Sequence, residues 1–193
     1  SITTEGMMGY WRKVKYNNKT GYIVDNYLLP LSPPKLNAIK DLKQYLAQAS
    51  QPFGTKLVRK STSMNLDDEG GWELTKQLYK NGSEWHQFLA YEYNSDTYFL
   101  PDFSLQQGFL LLRLIPEFKN IFGEKDEFPT ANKKFSRDDN EYEIKLYKTV
   151  DEAEYGGPFT IEKIKIEFSE GATYIFEMYM QDNQLVIFFG GGL

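Results

Sequence analysis

The chain has 193 residues, 41% of them hydrophobic and 16% aromatic, with a net charge of −5 from 22 basic and 27 acidic side chains. That is enough apolar material for one medium domain, or a small one plus a medium one, and no basic tract marks a nucleic-acid partner. There is no cysteine, which excludes disulfides, thiolate chemistry and Cys-held metals, and no apolar run approaches the roughly 18 residues of a membrane-spanning helix.

The chain opens at Ser1 without an initiator Met or a signal-peptide pattern, as a trimmed or processed form would. Residues 9–28 read GYWRKVKYNNKTGYIVDNYL. Trp11, Lys13 and Lys15 alternate with Arg12, Val14 and Tyr16, which predicts a strand. Asn17-Asn18-Lys19 is a turn, Thr20–Val24 the return strand, and Asp25-Asn26 a tight turn before a short strand at Tyr27–Leu29. The pattern Trp11-x-Lys13-Val14-x-Tyr16, then Gly21-Tyr22-Ile23, then Tyr27-Leu28, resembles the C-terminal half of a bacterial SH3 (SH3b) domain, here at residues 9–29. The resemblance implies a periplasmic, cell-envelope-associated or secreted bacterial protein. It also implies a cell-wall component or a peptide as partner, held on an aromatic groove. Tyr10, Tyr16, Tyr22 and Tyr27 are the candidate contacts, with Trp11 expected against its neighbours.

Pro30–Pro34 is a rigid elbow and the expected boundary between residues 1–30 and a domain at 31–193. Leu36, Ile39, Leu42, Leu46 and Ala49 share one helical face, so an amphipathic helix is expected over Lys35–Ala49 with Pro34 at its start. Phe53–Lys60 reads as a strand and Ser61–Gly71 as an acidic loop. Asn81-Gly82 predicts a two-residue hairpin between Trp72–Tyr79 and Glu84–Tyr93, with Leu78 facing Trp85, Leu74 facing Leu89 and Trp72 facing Tyr91. A turn at Ser95-Asp96 would then set Tyr98 opposite Tyr93 and Leu100 opposite Tyr91. Ser104 to Gln107 is a capping box opening a largely apolar helix to Leu114. Pro116 bends it or starts a second helix, and residues 123–140 read as a charged loop. Glu141–Lys148 alternates like a half-exposed strand.

The last third is the most legible. A two-residue turn at Asp182-Asn183 sets Met180 against Leu185, Met178 against Ile187 and Phe176 against Phe189. A one-residue slip would bring Glu177 and Gln181 to the core face, so the register is strongly specified. For Ile164, Ile166 and Phe168 to share that face, the preceding loop must hold three residues, Glu170-Gly171-Ala172. Gly190-Gly191-Gly192 reads as a flexible tail. The fold class is α+β: antiparallel meanders packed with two main helices, preceded by a partial SH3-like hairpin. A degenerate duplication of residues 35–100 in 104–189 is an open alternative.

His86 is the sole histidine, expected mid-strand across from Gln77, with no nucleophile motif and no second His for a zinc site. Asp67-Asp68-Glu69, Asp138-Asp139 with Glu141, and Asp151-Glu152 with Glu154 are acidic, but none has EF-hand spacing. Nothing in the sequence calls for a metal or a cofactor. Trp72, Trp85 and Tyr91 join the four tyrosines as candidate ligand contacts, with core burial the competing reading. The sequence favours a non-enzymatic envelope or secreted binding module for peptidoglycan or peptide. A carboxylate-dependent hydrolase of glycans or peptides and an inhibitor or immunity-type partner binder are the alternatives.

Overall fold

The computed structural model describes residues 1–62, 65–149 and 160–193. The acidic group Asp151, Glu152 and Glu154 lies outside the described residues. The strands are β1 (Ile2–Thr4), β2 (Met7–Gly9), β3 (Trp11–Tyr16), β4 (Lys19–Val24), β5 (Pro52–Lys60), β6 (Trp72–Tyr79), β7 (Glu84–Ala90), β8 (Tyr93–Pro101), β9 (Lys133–Arg137), β10 (Asn140–Thr149), β11 (Thr160–Ser169), β12 (Thr173–Gln181) and β13 (Gln184–Gly192). The helices are α1 (Leu42–Ala49) and α2 (Leu105–Leu112). The architecture is thus α+β and mostly antiparallel sheet.

One nine-stranded sheet dominates, in the order β5-β6-β7-β8-β13-β12-β11-β10-β9. Each run of the chain lays down a helix and then a meander, and the last strands of the two runs, β8 and β13, pair antiparallel at the middle. Both sheet edges are guarded by cations: Lys56, Arg59 and Lys60 on β5, with a bulge between Phe53 and Leu57, and Lys133, Lys134 and Arg137 on β9. Such edges discourage pairing with a stray strand.

Both helices lie on one face. α2 sits so close that a Cβ on Gly108 would fall 2.4 Å from Leu185 Cδ2 and 2.8 Å from Met178 Sδ. Below it Ile164, Ile166, Phe176, Met178, Leu185 and Ile187 are fully buried. Phe118 and Phe122 meet Phe176 edge-on at 5.9 and 5.3 Å. The C-terminal register is as the alternation requires. Asp182 and Asn183 take φ of 50° and 61°, and Met180, Met178 and Phe176 pair with Leu185, Ile187 and Phe189. The three-residue loop after Ser169 is present, with Gly171 at φ 70° and Ile166 opposite Phe176. The Ser104 capping box is also formed, with Ser104 Oγ accepting from Gln107 N and Gln107 Oε1 accepting from Ser104 N.

Several expectations are corrected. The tri-glycine is no tail. Gly190, Gly191 and Gly192 are part of a central strand, paired with Ser95, Asn94 and Tyr93 on one side and Ile175, Tyr174 and Thr173 on the other. A Cβ on Gly191 would fall 2.5 Å from Thr173 O. The first helix starts at Leu42, not Lys35. Asp41 caps it by accepting from Gln44 N, and Leu36 stays 82% exposed. Residues 123–140 are not all loop, because β9 lies there and turns into β10 through Asp138 and Asp139 at positive φ. In the β6–β7 hairpin the loop holds three residues, with Gly82 at φ 84°, so Gln77 faces Trp85 and Leu78 faces Glu84. The next turn is Tyr91-Glu92, with Glu92 at φ 53°, and Ser95 and Asp96 are strand residues. Tyr98 therefore lies opposite Trp85, not Tyr93.

Candidate binding surfaces

The N-terminal residues dock on the α2 side of the large domain. Met7 is fully buried, Leu29 and Leu31 pack on the core, and Phe128 N donates to Glu5 O. Arg113 Nη1 pairs with Glu5 Oε2 at 2.5 Å, and Gln107 Nε2 donates to Leu28 O. This docking uses β1, β2 and the short 3-10 turn Asp25–Tyr27, not the tyrosines of the β3–β4 ribbon.

The ribbon therefore projects from an anchored base. Asn17 and Asn18 at φ 47° and 60° form a two-residue turn, and Lys13 pairs with Tyr22. The expected strand at Tyr27–Leu29 is replaced by the 3-10 turn. Asp25 ties the base: its carboxylate accepts from Tyr10 N at 2.7 Å and from Arg12 Nε at 2.8 Å. The Tyr10 amide first, then the Arg12 guanidinium, hold the Asp25 carboxyl below the usual carboxylate range. Every residue of β3 is exposed. Tyr16 is 77% exposed, Tyr22 67%, Tyr10 54% and Tyr27 38%, and Trp11, expected to be buried, is 61% exposed. A shallow hollow of 330 Å³ is lined by Val14, Tyr16, Thr20 and Gly21.

The other three candidates separate. Trp72 lies on the sheet face away from the helices, stacked on Phe88, which in turn meets Tyr93. Tyr91 is half exposed in the β7–β8 turn. Trp85 is only 2% exposed and points to the helices. Its Nε1 donates to Asp96 Oδ1 at 2.7 Å, and the Lys43 ammonium stands 3.9 Å above its ring. Those neighbours leave Trp85 no surface for a ligand.

Sequence reasoning missed one polar cluster. Glu117, in the 3-10 turn Pro116–Phe118, accepts from Leu42 N at 2.9 Å, while its own N–H donates to Lys40 O. Burial pushes the Glu117 carboxyl up to about 7, against the lowering effect of the Leu42 bond, and Asp41 and Asp96 add to the rise. Burial likewise raises Asp96, outweighing its Trp85 hydrogen bond. Glu117 thus seats the start of α1, a structural use of a near-neutral carboxyl. The signal was invisible because these residues lie about 20 to 75 positions apart. His86 faces Lys76 and Thr97, not Gln77, and its Nε2 lies 2.9 Å from Glu84 Oε2. Burial lowers its pKa despite Glu84. Among the described residues no group of three or more His, Asp or Glu side chains is placed to hold a metal ion. No helix of the described residues is long and apolar enough to cross a membrane.

Fold and surface together define a two-layer α+β protein with an exposed aromatic ribbon. Compared with known proteins, the chain matches no family model, no curated sequence and no solved structure.

Proposed function

We propose that the chain is a non-enzymatic binding module of the bacterial cell envelope, and that its β3–β4 ribbon contacts the stem peptides of peptidoglycan. The observation that carries this reading is the exposure of Tyr10, Trp11, Tyr16 and Tyr22 on a ribbon whose base is fixed by Asp25. Large apolar rings held in water need a reason, and peptide recognition is a common one. The strand pair has neither edge covered by a third strand, so an extended peptide can add backbone hydrogen bonds beside the aromatic contacts. The SH3b-like pattern at residues 9–29 points to the same partner class.

The test is a pull-down on purified peptidoglycan and on free stem peptides. The parent chain should bind, and a folded double variant Tyr16→Ala, Tyr22→Ala should lose at least about tenfold in affinity, the cost of removing two aromatic anchors. A parent chain that binds neither probe would reject the proposal.

A further inference from the structure

The sheet face away from the helices carries a second surface. On β5 to β8 the outward side chains include Phe53, Leu57, Trp72, Leu74, Leu78, Phe88 and Phe99, an apolar field crossed by the polar Arg59, Lys76, Glu84, His86 and Thr97, in which Phe53 is 63% exposed and Leu57 47%. It continues onto Phe188 of β13 and Ile175 of β12. A single open antiparallel face ordinarily carries polar side chains. Here no helix of the described residues covers it.

We propose that this face is covered by the same face of a second copy, in a two-fold sandwich whose axis runs along β8. This does not depend on what the ribbon binds. The occupant follows from the register. An axis along β8 keeps each row of side chains and exchanges strands equidistant from β8: β7 with β13, β6 with β12, β5 with β11. In one row the order is Arg59, Leu74, Phe88, Ser95, Gly190, Ile175, Glu167. The exchange sets Phe88 over the dent at Gly190, Leu74 over Ile175, and Arg59 over Glu167, with small Ser95 on the axis. In the next row it sets Lys76 over Glu177, His86 over Phe188 and Leu57 over Lys165, and in the row after that Leu78 over Tyr179, Glu84 over Val186 and Phe53 over Lys163.

Phe88 thus meets the dent at Gly190 and two cations meet anions, while Leu57 and Phe53 lie along the stems of Lys165 and Lys163, whose ammonium groups are held by Glu167 and Glu177. Neither Arg59 nor Lys76 has an ion-pair partner among the described residues. Glu177 holds Lys163 at 2.7 Å, and Glu167 holds Lys165 at 2.6 Å and Lys145 at 3.3 Å; a carboxylate has about four lone-pair sites and accepts a further donor. Sheets packed face to face sit about 10 Å apart and tilted by about 30°. Lys76 lies two strands, about 10 Å, from the axis, so the tilt displaces it by about 5 Å, within reach of a lysine stem. From β5 to β11 by four rows the field measures about 29 by 20 Å in flat projection. The accessible area of its corrugated surface exceeds that projection and is of the order of the ~800 Å² per partner of a stable interface.

Sedimentation velocity of the full chain over a concentration series tests the pairing. The parent should be a dimer. Lys76→Glu should raise the dissociation constant at least about tenfold, because the reversed charge occurs twice about the axis. The pair Lys76→Glu with Glu177→Lys should restore the dimer, an outcome that a different kind of partner cannot give. Phe88→Asp should also yield monomers. Circular dichroism checks each fold, and if Phe88→Asp does not fold, the charge-swap pair decides alone. A parent that stays monomeric up to about 1 mM, a dimer unmoved by Lys76→Glu, or a swap that fails to restore association would overturn the proposal.

Discussion

The two halves of the sheet distribute their polar side chains differently. From β10 to β13 the helix-side face is aromatic and aliphatic, with Tyr142, Ile144, Ile166 and Met178 buried, and the outward face carries Glu143, Lys145, Lys163, Lys165, Glu167 and Glu177. From β5 to β8 the helix side mixes Thr75, Gln77, Gln87 and Asp96 with buried Tyr79, Trp85, Tyr98 and Leu100, and the outward face mixes Phe53, Leu57, Leu74 and Phe88 with Arg59, Lys76, Glu84 and His86. Period-two alternation separates two faces in both halves, but it does not say which face meets the helices. The first half satisfies the polar groups on its helix side by hydrogen bonding, as at Trp85 and Asp96, and exposes Phe53 and Leu57 on the other.

The sharpest way to break this comparison is to truncate one phenylalanine in each half. Phe176→Ala removes a fully buried ring packed edge-on by Phe118 and Phe122, and should cost about 3–5 kcal/mol in urea denaturation. Phe88→Ala faces outward and should cost less than about 1 kcal/mol, measured at concentrations where the chain is monomeric. Equal losses would mean that the N-terminal half has its core on the outward side.

A smaller effect tests the polar interior. Because the Glu117 carboxyl is raised to about 7 from an ordinary 4.5, the folded chain holds more protons than the unfolded one between those values. Stability from this group should therefore fall as pH rises from 4.5 to 7 and stay reduced above 7, by roughly 3 kcal/mol at most. Glu117→Gln keeps an acceptor for Leu42 N, so it should remove this slope and leave the variant more stable than the parent at pH 8. Parallel stability curves for the two would reject the assignment.

The smallest effect is local and concerns the ribbon, which belongs to neither half. Asp25→Ala should speed amide exchange at Tyr10 and through β3 and β4 while the midpoint of global unfolding barely moves. Because Asp25 is held below the usual carboxylate range, its ties persist at neutral pH and are lost as pH falls through its lowered value. Acid should therefore reproduce the variant's exchange pattern in the parent.

The chain order by itself determined the C-terminal meander. Turn chemistry at Asp182-Asn183, the glycine in the loop after Ser169 and the alternation of the strands all demanded one register, and neighbours in sequence are neighbours in space. The capping box at Ser104 was legible for the same local reason. The exposed tyrosines of the ribbon could be named but not placed, because what covers them depends on how β1 and β2 dock on the α2 side. Only the tertiary structure decided the rest. Asn81-Gly82 suited a two-residue turn, yet matching Trp85 to the helix side required one more loop residue, which moved Leu74 and Leu78 outward. The three glycines became a central strand because β8, about 100 residues earlier, pairs along them, and the close approach of β8 and β12 leaves no room for a Cβ. A pairing that distant leaves no local trace in the sequence, since its energy comes from contacts that exist only once both meanders have formed.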